Sequence, residues 1–227
     1  MHLPDATWPE TEGRPLLCIP VGSCEQHGPH LPLATDTVIA EAIAAGLAAR
    51  RPLTVVGPAL TVTASGEHAA FPGTLSIGTE TTARVLVELA RSADWAAGVV
   101  LVNGHGGNRD AVDEAMIEFD RDGRSVLPWW PHVAGGDAHA GRTETSLLLA
   151  VRPGLVRLDR VEPGETAPLA TIGGRLRAHG VRAVAPNGVL GDPTGATAAE
   201  GHDILARLVD DLATCVTEWL VTTGAPS

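Results

Sequence analysis

Short apolar runs alternate along this chain with longer stretches in which apolar residues recur every three or four positions. The apolar runs predict buried β-strands, and they lie at 15–21, 52–56, 98–103 and 124–128. The periodic stretches predict amphipathic helices, and they lie at 37–50, 79–94, 107–121 and 197–220. Strands that alternate with helices favour an α/β fold. We therefore expect a three-layer α/β/α sandwich with a mainly parallel central sheet, formed as one domain over residues 1–227.

Two segments between these elements are rich in proline and glycine, at 153–168 and 186–195. This composition is typical of loops that run over a protein surface. The first segment suits either a lid over a site or a contact between subunits, and the sequence leaves both interpretations open.

Five residues of metal-ligating type lie in four short segments: Glu25, His27, Asp36, His105 and Glu144. Glu25 and His27 follow the run at 15–21 and are two positions apart, so an extended backbone points both side chains the same way. His105 follows the run at 98–103, which places it at the carboxyl end of a predicted strand, where open α/β sheets bind their ligands. The glycines at 104, 106 and 107 are expected to leave room beside its imidazole.

Each of these residues also has an ordinary structural interpretation. Asp36 could cap the helix that follows it, and Glu144 could complement the dipole of the helix predicted at 145–151. The other three could be exposed polar groups or could bond to the backbone. Taken together, these imidazole and carboxylate groups indicate a nitrogen/oxygen site for zinc, manganese or iron(II) rather than a thiolate site. We therefore predict a shell for two divalent metal ions.

Four sequence strings surround these residues and occur in order along the chain. They are PVGSCEQHGPHLPLATD at 20–36, GEHAAFPGTLS at 66–76, NGHGGN at 103–108 and HAGRTETS at 139–146. A weaker string, NGVLGDPTGATAAEGH, follows at 187–202. Together they resemble the creatininase (creatinine amidohydrolase) family, and several strings in one order are more specific than a lone motif. The resemblance implies a creatininase-like fold and metal-dependent hydrolysis of a C–N bond.

The resemblance also implies a role for each candidate ligand. Asp36 would bridge two metal ions. Glu25 and His105 would complete one metal site, and His27 and Glu144 would complete the other.

His139, at the start of HAGRTETS, would be the acid/base residue of such a centre. Protonation of the leaving nitrogen suits a group that titrates near neutral pH. The alternative is a residue that only orients Glu144.

One position departs from the pattern of creatininases proper, which carry a metal-ligating Glu two residues after the strand-end histidine. Gly107 stands there in this chain, so creatinine is not the expected substrate. The HGGN form resembles branches of the family that hydrolyse formamides or trim a modified precursor peptide. The formamide branch commonly has an acidic residue where this chain has Arg142, which favours the peptide branch.

The peptide branch implies release of a C-terminal Val-Tyr dipeptide from the modified precursor. A small formamide or cyclic amide is the alternative substrate, and a non-catalytic metal-bound scaffold is the alternative from another class. Candidate substrate contacts are His68, Trp129, Trp130 and Arg142. The tryptophan pair could equally fill a core or a subunit interface, and Arg142 could simply be solvated.

Charge and composition narrow the possible partners. The net charge of −11, with no basic stripe, argues against binding to nucleic acid or to an anionic membrane surface. We find no apolar run of 18 residues and no leader pattern, and we expect a cytoplasmic protein. By resemblance to the family we expect a homo-oligomer.

Three cysteines, Cys18, Cys24 and Cys215, are expected to be reduced thiols. Cys24 adjoins Glu25 and could be imagined as a nucleophile. In an extended segment, however, its side chain would point away from Glu25 and His27.

Overall fold

A four-stranded parallel sheet forms the centre of the computed structural model, which describes residues 1–223. Its strands are β1 (Leu16–Val21), β2 (Thr54–Val56), β3 (Gly98–Asn103) and β4 (Val126–Trp129). The order across the sheet is β2-β1-β3-β4. The mainly parallel sheet predicted from the sequence is therefore confirmed, with β1 and β3 at its centre.

Six α-helices lie in the described part of the chain. They are α1 (Thr35–Arg50), α2 (Thr79–Ser92), α3 (Arg109–Arg121), α4 (Arg142–Val151), α5 (Leu169–His179) and α6 (Ala198–Thr223). The four predicted strands and the four long predicted helices are confirmed, with ends within three residues of the predicted ones.

Two helices differ from the sequence prediction. Helix α4 begins at Arg142 and not at 145, so Glu144 lies inside its first turn. Helix α5 was not predicted at all. Two adjacent glycines at 173 and 174 interrupt its sequence, and Ile172 is its only buried residue, so no apolar periodicity marks it.

Alternate residues of each strand face opposite layers of helices. In β1, Leu16 and Cys18 pack with α1, α4 and α6, whereas Leu17, Ile19 and Val21 pack with α2 and α3. This division follows from the two-residue period of a strand. The three-layer α/β/α sandwich is therefore confirmed, with an apolar core on each face of the sheet.

Two glycines allow the start of α1 to lie against the ends of β1 and β3. A Cβ atom at Gly22 would lie 2.2 Å from Thr37 Oγ1, and one at Gly104 would lie 2.5 Å from the carbonyl oxygen of Asp36. Any larger residue would push the helix away from the sheet. The close approach brings Asp36 to the carboxyl ends of the central strands.

None of the helices among residues 1–223 combines the length and the apolar character that crossing a membrane requires.

Candidate metal centre

The segment after β1 carries two buried side chains into the site. Glu25 and His27 are both fully buried. The Nδ1 atom of His27 lies 3.1 Å from the carbonyl oxygen of Glu25 and donates to it, which leaves Nε2 as the free ring nitrogen. That nitrogen lies 3.0 Å from Asp36 Oδ1 and 3.8 Å from Glu144 Oε2. The local backbone therefore fixes which atom of His27 faces the carboxylates.

The carboxylate of Asp36 lies between two histidines. Its Oδ1 faces His27 Nε2, and its Oδ2 lies 3.2 Å from His105 Nδ1. Ser23 Oγ donates to Oδ2 at 2.7 Å. Asp36 does not cap its helix, because the N-cap residue of α1 is Ala34 and no side chain caps it.

His105 lies two residues beyond β3, at the carboxyl edge of the sheet. Its Nε2 atom is 2.8 Å from the carbonyl oxygen of Ala64 and 3.2 Å from Glu25 Oε2. Both carboxylate oxygens of Glu25 are buried without a hydrogen-bond partner in the described residues. A buried carboxylate without donors is costly, so this arrangement calls for a cation.

Glu144 reaches the cluster from the first turn of α4, on the side of His27. Its Oε2 atom accepts a hydrogen bond of 2.6 Å from the backbone N–H of Ala140. Ala140 has a left-handed backbone, with φ of 52°, a conformation that is uncommon outside glycine. The turn that places His139 therefore also positions Glu144.

His139 is buried beside the predicted ligands, and its ring centroid lies 4.2 Å from that of His27. Its Nε2 atom donates to the carbonyl oxygen of Gln26 at 2.9 Å, so Nδ1 is the nitrogen without a proton. Nδ1 faces Glu25 Oε1 at 3.7 Å. The backbone thus presents one basic nitrogen of His139 to the centre of the cluster.

The side chain of Gln26 is a further part of the site that the sequence did not indicate. Its Nε2 atom lies 2.8 Å from His68 Nδ1 and 3.1 Å from the carbonyl oxygen of Gly188. His68 Nε2 in turn lies 3.3 Å from Glu25 Oε1. His68, to which the sequence assigned no definite role, therefore lies against a predicted ligand.

Two histidines of the cluster favour positive charge. Burial lowers the pKa of His27, but Asp36, Glu144 and Glu25 outweigh it and raise the pKa to about 10. Burial is likewise outweighed at His105, where Glu25 and Asp36 raise the pKa well above its usual value. A divalent cation that displaces these two protons would meet the same demand for positive charge.

The remaining histidines of the cluster favour the neutral form. Burial, followed by the charges of neighbouring histidines, lowers the pKa of His139 well below its usual range and that of His68 to about 3. Burial raises the pKa of Glu144 to about 7. A neutral His139 that faces a group of carboxylates is able to accept a proton.

The fold brings all five sequence-predicted ligands into one cluster. Within it, three sets of side chains have ligand atoms within 4.8 Å of one another: His27, Asp36 and Glu144; Glu25, Glu67 and His105; and Glu25, His27 and His139. The imidazole and carboxylate donors of these sets fit zinc, manganese or iron(II). Glu67 is a member that the sequence analysis missed, although it adjoins His68 in the string GEHAAFPGT.

The three glycines around His105 differ in what occupies the space beside them. Of Gly104, Gly106 and Gly107, only Gly106 faces open space. The place of a side chain at Gly104 is filled by the backbone of Asp36, and that at Gly107 by the carboxylate of Glu67 and the ring of His105. Gly107 therefore leaves room beside the imidazole of His105, as expected, and the Glu67 carboxylate occupies that room, whereas Gly104 leaves room for the backbone of α1.

The tryptophan pair contributes to packing. Trp129 is buried in the core beneath α6, where its Nε1 atom donates to Asp211 Oδ2 at 2.8 Å. Trp130 lies under the guanidinium of Arg109, which is 4.9 Å from the ring centroid. For Trp129 the core interpretation holds.

Arg142 and Cys24 both contact groups outside the cluster. The Nε atom of Arg142 donates to Glu200 Oε2 at 2.8 Å near the surface. The thiol of Cys24 contacts the carbonyl oxygen of Gly73 at 3.8 Å. Among residues 1–223 no basic side chain lies within hydrogen-bond distance of this thiol, so none of them would activate it as a nucleophile.

A cleft of about 710 Å³ opens next to the segment that carries His139. Ala138 and Leu190 line it, and Leu190 pairs with the backbone of His139. Arg142 and Arg207 also line the cleft, whereas none of the five predicted ligands does. Its volume suits a ligand larger than a small amide.

A buried shell of imidazole and carboxylate groups at the carboxyl ends of a parallel sheet defines a metal-dependent hydrolase of the α/β class. The chain belongs to the creatininase family, because the family model described as creatinine amidohydrolase matches residues 4–216. The family assignment made from the sequence strings is therefore confirmed.

Individual relatives agree with this assignment. The mycofactocin precursor peptide peptidase of Mycolicibacterium smegmatis is 49% identical to this chain over 213 residues, which cover 90% of this chain and 85% of that protein. A solved structure of creatininase with Mn superposes with a TM-score of 0.74 at 29% identity, over 96% of this chain and 97% of that one. A mutant creatininase of the Zn-Zn type gives a TM-score of 0.75 at 29% identity, with the same coverage.

Proposed function

We propose that this protein is a metal-dependent peptidase that cleaves a modified mycofactocin precursor peptide. The observation that carries the proposal is the complete cluster of five ligand side chains and His139, found in a chain 49% identical to a peptidase of that name. We further propose that cleavage releases a C-terminal Val-Tyr dipeptide, as the resemblance to the peptide branch implies.

In this proposal the cluster holds two divalent metal ions. Asp36 is the shared ligand, because its two oxygens face His27 and His105 separately. Glu25 serves the His105 side, and Glu144 serves the His27 side. The structurally similar creatininase of the Zn-Zn type supports two ions. The metals named in the similar creatininase structures support zinc or manganese. Iron(II) stays a prediction from the donor types.

The protein's own groups would supply the proton transfers. When bound, two divalent cations provide Lewis-acid chemistry that lowers the pKa of water and polarises the carbonyl of the scissile amide. His139 Nδ1 takes a proton from the attacking water, whose oxygen bonds to the carbonyl carbon. His139 then returns that proton to the leaving nitrogen as the C–N bond breaks. The hydrogen bond from His139 Nε2 to the carbonyl oxygen of Gln26 holds the ring in the orientation that both transfers require.

One observation favours a second candidate, the hydrolase of a small formamide or cyclic amide. Glu25, His27, Asp36 and His105 are each no more than 4% exposed, and such a deep site suits a small substrate. The 49% identity to a mycofactocin precursor peptide peptidase favours the peptide instead. A non-catalytic scaffold is the weakest candidate, since it would not require a neutral, oriented His139.

The direct test is hydrolysis of a synthetic modified precursor peptide that ends in Val-Tyr. We expect protein reconstituted with zinc, manganese or iron(II) to release the dipeptide, as followed by mass spectrometry, and chelator-treated protein to release none. A panel of small formamides and cyclic amides, assayed in parallel, provides the comparison. Turnover of the small amides without peptide cleavage would refute the peptidase proposal, and two bound metals without any turnover would favour the scaffold.

Metal binding is expected to release protons. At pH 7 the raised pKa values of His27 and His105 keep both protonated in metal-free protein, and a metal ligand must be deprotonated. Zinc binding should therefore release about two protons from these histidines and part of a third from Glu144, whose pKa is about 7, and the apparent affinity should fall as the pH is lowered. Isothermal titration calorimetry in two buffers of different ionisation enthalpy measures this number.

His27→Gln provides the internal control, because it should release about one proton fewer. A heat of binding that does not depend on the buffer would contradict the assignment of both histidines.

Location in the cytoplasm and assembly as a homo-oligomer stay predictions from the sequence.

A further inference from the structure

We propose that Glu67 is a sixth protein ligand of the metal centre, on the side of His105 and Glu25. This inference rests on the proposed metal-dependent function and adds to it a residue that sequence reasoning did not identify. Glu67 would give that side of the centre a carboxylate that reaches solvent, since its side chain is one-third exposed whereas Glu25 is fully buried.

The backbone places Glu67 directly over His105. Glu67 lies in the short 3-10 helix Gly66–His68, and its Oε1 atom is 3.5 Å from His105 Nε2. One ligand atom each from Glu67, Glu25 and His105 lies within 4.8 Å of the other two. This spacing is compatible with a single ion contacted by all three residues.

Three oxygen atoms surround His105 Nε2, which can donate only one hydrogen bond. The carbonyl oxygen of Ala64 lies at 2.8 Å, Glu25 Oε2 at 3.2 Å and Glu67 Oε1 at 3.5 Å. In the metal-free protein this nitrogen carries one proton, which the geometry directs to Ala64, and a metal ion bound by His105 Nε2 would replace that proton. Glu25 is consequently left with both oxygens buried and unpaired, pointing at the same place as Glu67. Two carboxylates that converge in this way repel each other unless a cation lies between them.

Gly107 provides independent support. A Cβ atom at this position would lie 2.1 Å from Glu67 Oε1 and 2.4 Å from His105 Nε2. The space in which a side chain of residue 107 would begin is therefore occupied by the Glu67 carboxylate. Because φ of Gly107 does not lie in the left-handed region, this close approach is the reason that the structure gives for glycine here.

The test compares metal binding by wild-type protein, Glu67→Gln and a control, Glu80→Gln, in which the changed residue is exposed in the first turn of α2. Each full-length protein is loaded with zinc, and bound metal is measured by mass spectrometry against increasing chelator. Each is also loaded with cobalt(II), whose visible absorption reports the ligands of the ion. Glutamine keeps the shape of the side chain and removes its charge, so folding is expected to be unaffected.

We expect wild type and Glu80→Gln to hold two ions. Glu67→Gln should hold one ion as before and bind the other at least about tenfold more weakly, since even partners outside the ligand shell change affinity by about 10- to 100-fold. Its cobalt spectrum should change as well. If Glu67→Gln binds two ions with unchanged affinity and an unchanged cobalt spectrum, Glu67 is not a ligand. The proposal of a metal centre would not be affected by that result. Wild-type protein without bound metal would overturn both.

Discussion

Asp36→Ala is expected to abolish metal binding and nearly all turnover. Both oxygens of this buried carboxylate face histidines of the cluster, at 3.0 Å and 3.2 Å, so one substitution removes a ligand from both proposed metal positions. The loss should exceed the roughly 10²- to 10³-fold that removal of a single hydrogen-bond donor costs in other hydrolases. Metal analysis of the purified variant and peptide hydrolysis at saturating metal measure the two effects.

Asp36→Asn separates the effect of charge from that of shape. The amide keeps the hydrogen bond from Ser23 but loses the negative charge between the histidines, so it should also lose metal. Asp110→Ala, an exposed substitution in the first turn of α3, should retain metal and activity. If Asp36→Ala holds two ions and cleaves its substrate, the assignment of a shared carboxylate is wrong.

His139→Ala is expected to keep both metal ions and to lose turnover by about 10²- to 10⁴-fold, the usual contribution of a positioned acid or base. Nδ1 of His139 faces the cluster, and Nε2 is held by Gln26. Burial lowers its pKa, so the ring is neutral in the metal-free protein and Nδ1 has a free lone pair. Metal content and the rate of the chemical step, measured on the same preparation, test the prediction.

Metal content also separates the alternatives for His139. If the residue only orients Glu144, or if it is itself a ligand together with Glu25 and His27, the variant should lose an ion. His132→Ala, which changes an exposed histidine, should behave as wild type. Turnover of His139→Ala close to the wild-type rate would exclude an acid/base role.

Local patterns explain why so much of the fold was predictable. The strand β3 is a continuous apolar run, and α6 repeats apolar residues at helical spacing over its whole length. Such periodicities show which faces of a strand or helix are buried, and they depend only on residues that are close together in the sequence. Helix α5 has two central glycines and one buried residue, Ile172, which packs with Val181 and Leu190 from later in the chain.

The location of the five candidate ligands was predictable for a related reason. Glu25, His27 and His105 follow strands directly, so the sequence order already assigns them to one edge of a parallel sheet. Asp36 and Glu144 lie in first helical turns beside that edge. Neither the orientation of their side chains nor the contacts between them could be derived from spacing.

Glu67 and Gln26 show what lay beyond the sequence. Glu67 lies 38 positions before His105 in the chain, and it approaches His105 because Gly107 leaves space for its carboxylate. Gln26 joins His68 to the neighbourhood of His139 through hydrogen bonds between distant segments. No local pattern distinguishes either residue from an ordinary polar side chain.

The sequence by itself determined the layers of this fold, the edge of the sheet that carries the site and the chemical type of its ligands, because periodicity and residue type act over a few neighbouring positions. The tertiary structure alone decided which nitrogen of His27 and of His139 faces the cluster, which glycines allow close approach, and that Glu67 lies beside Glu25. Those features depend on distances of a few ångströms between segments far apart in the chain, which are fixed only when the helices pack on the sheet.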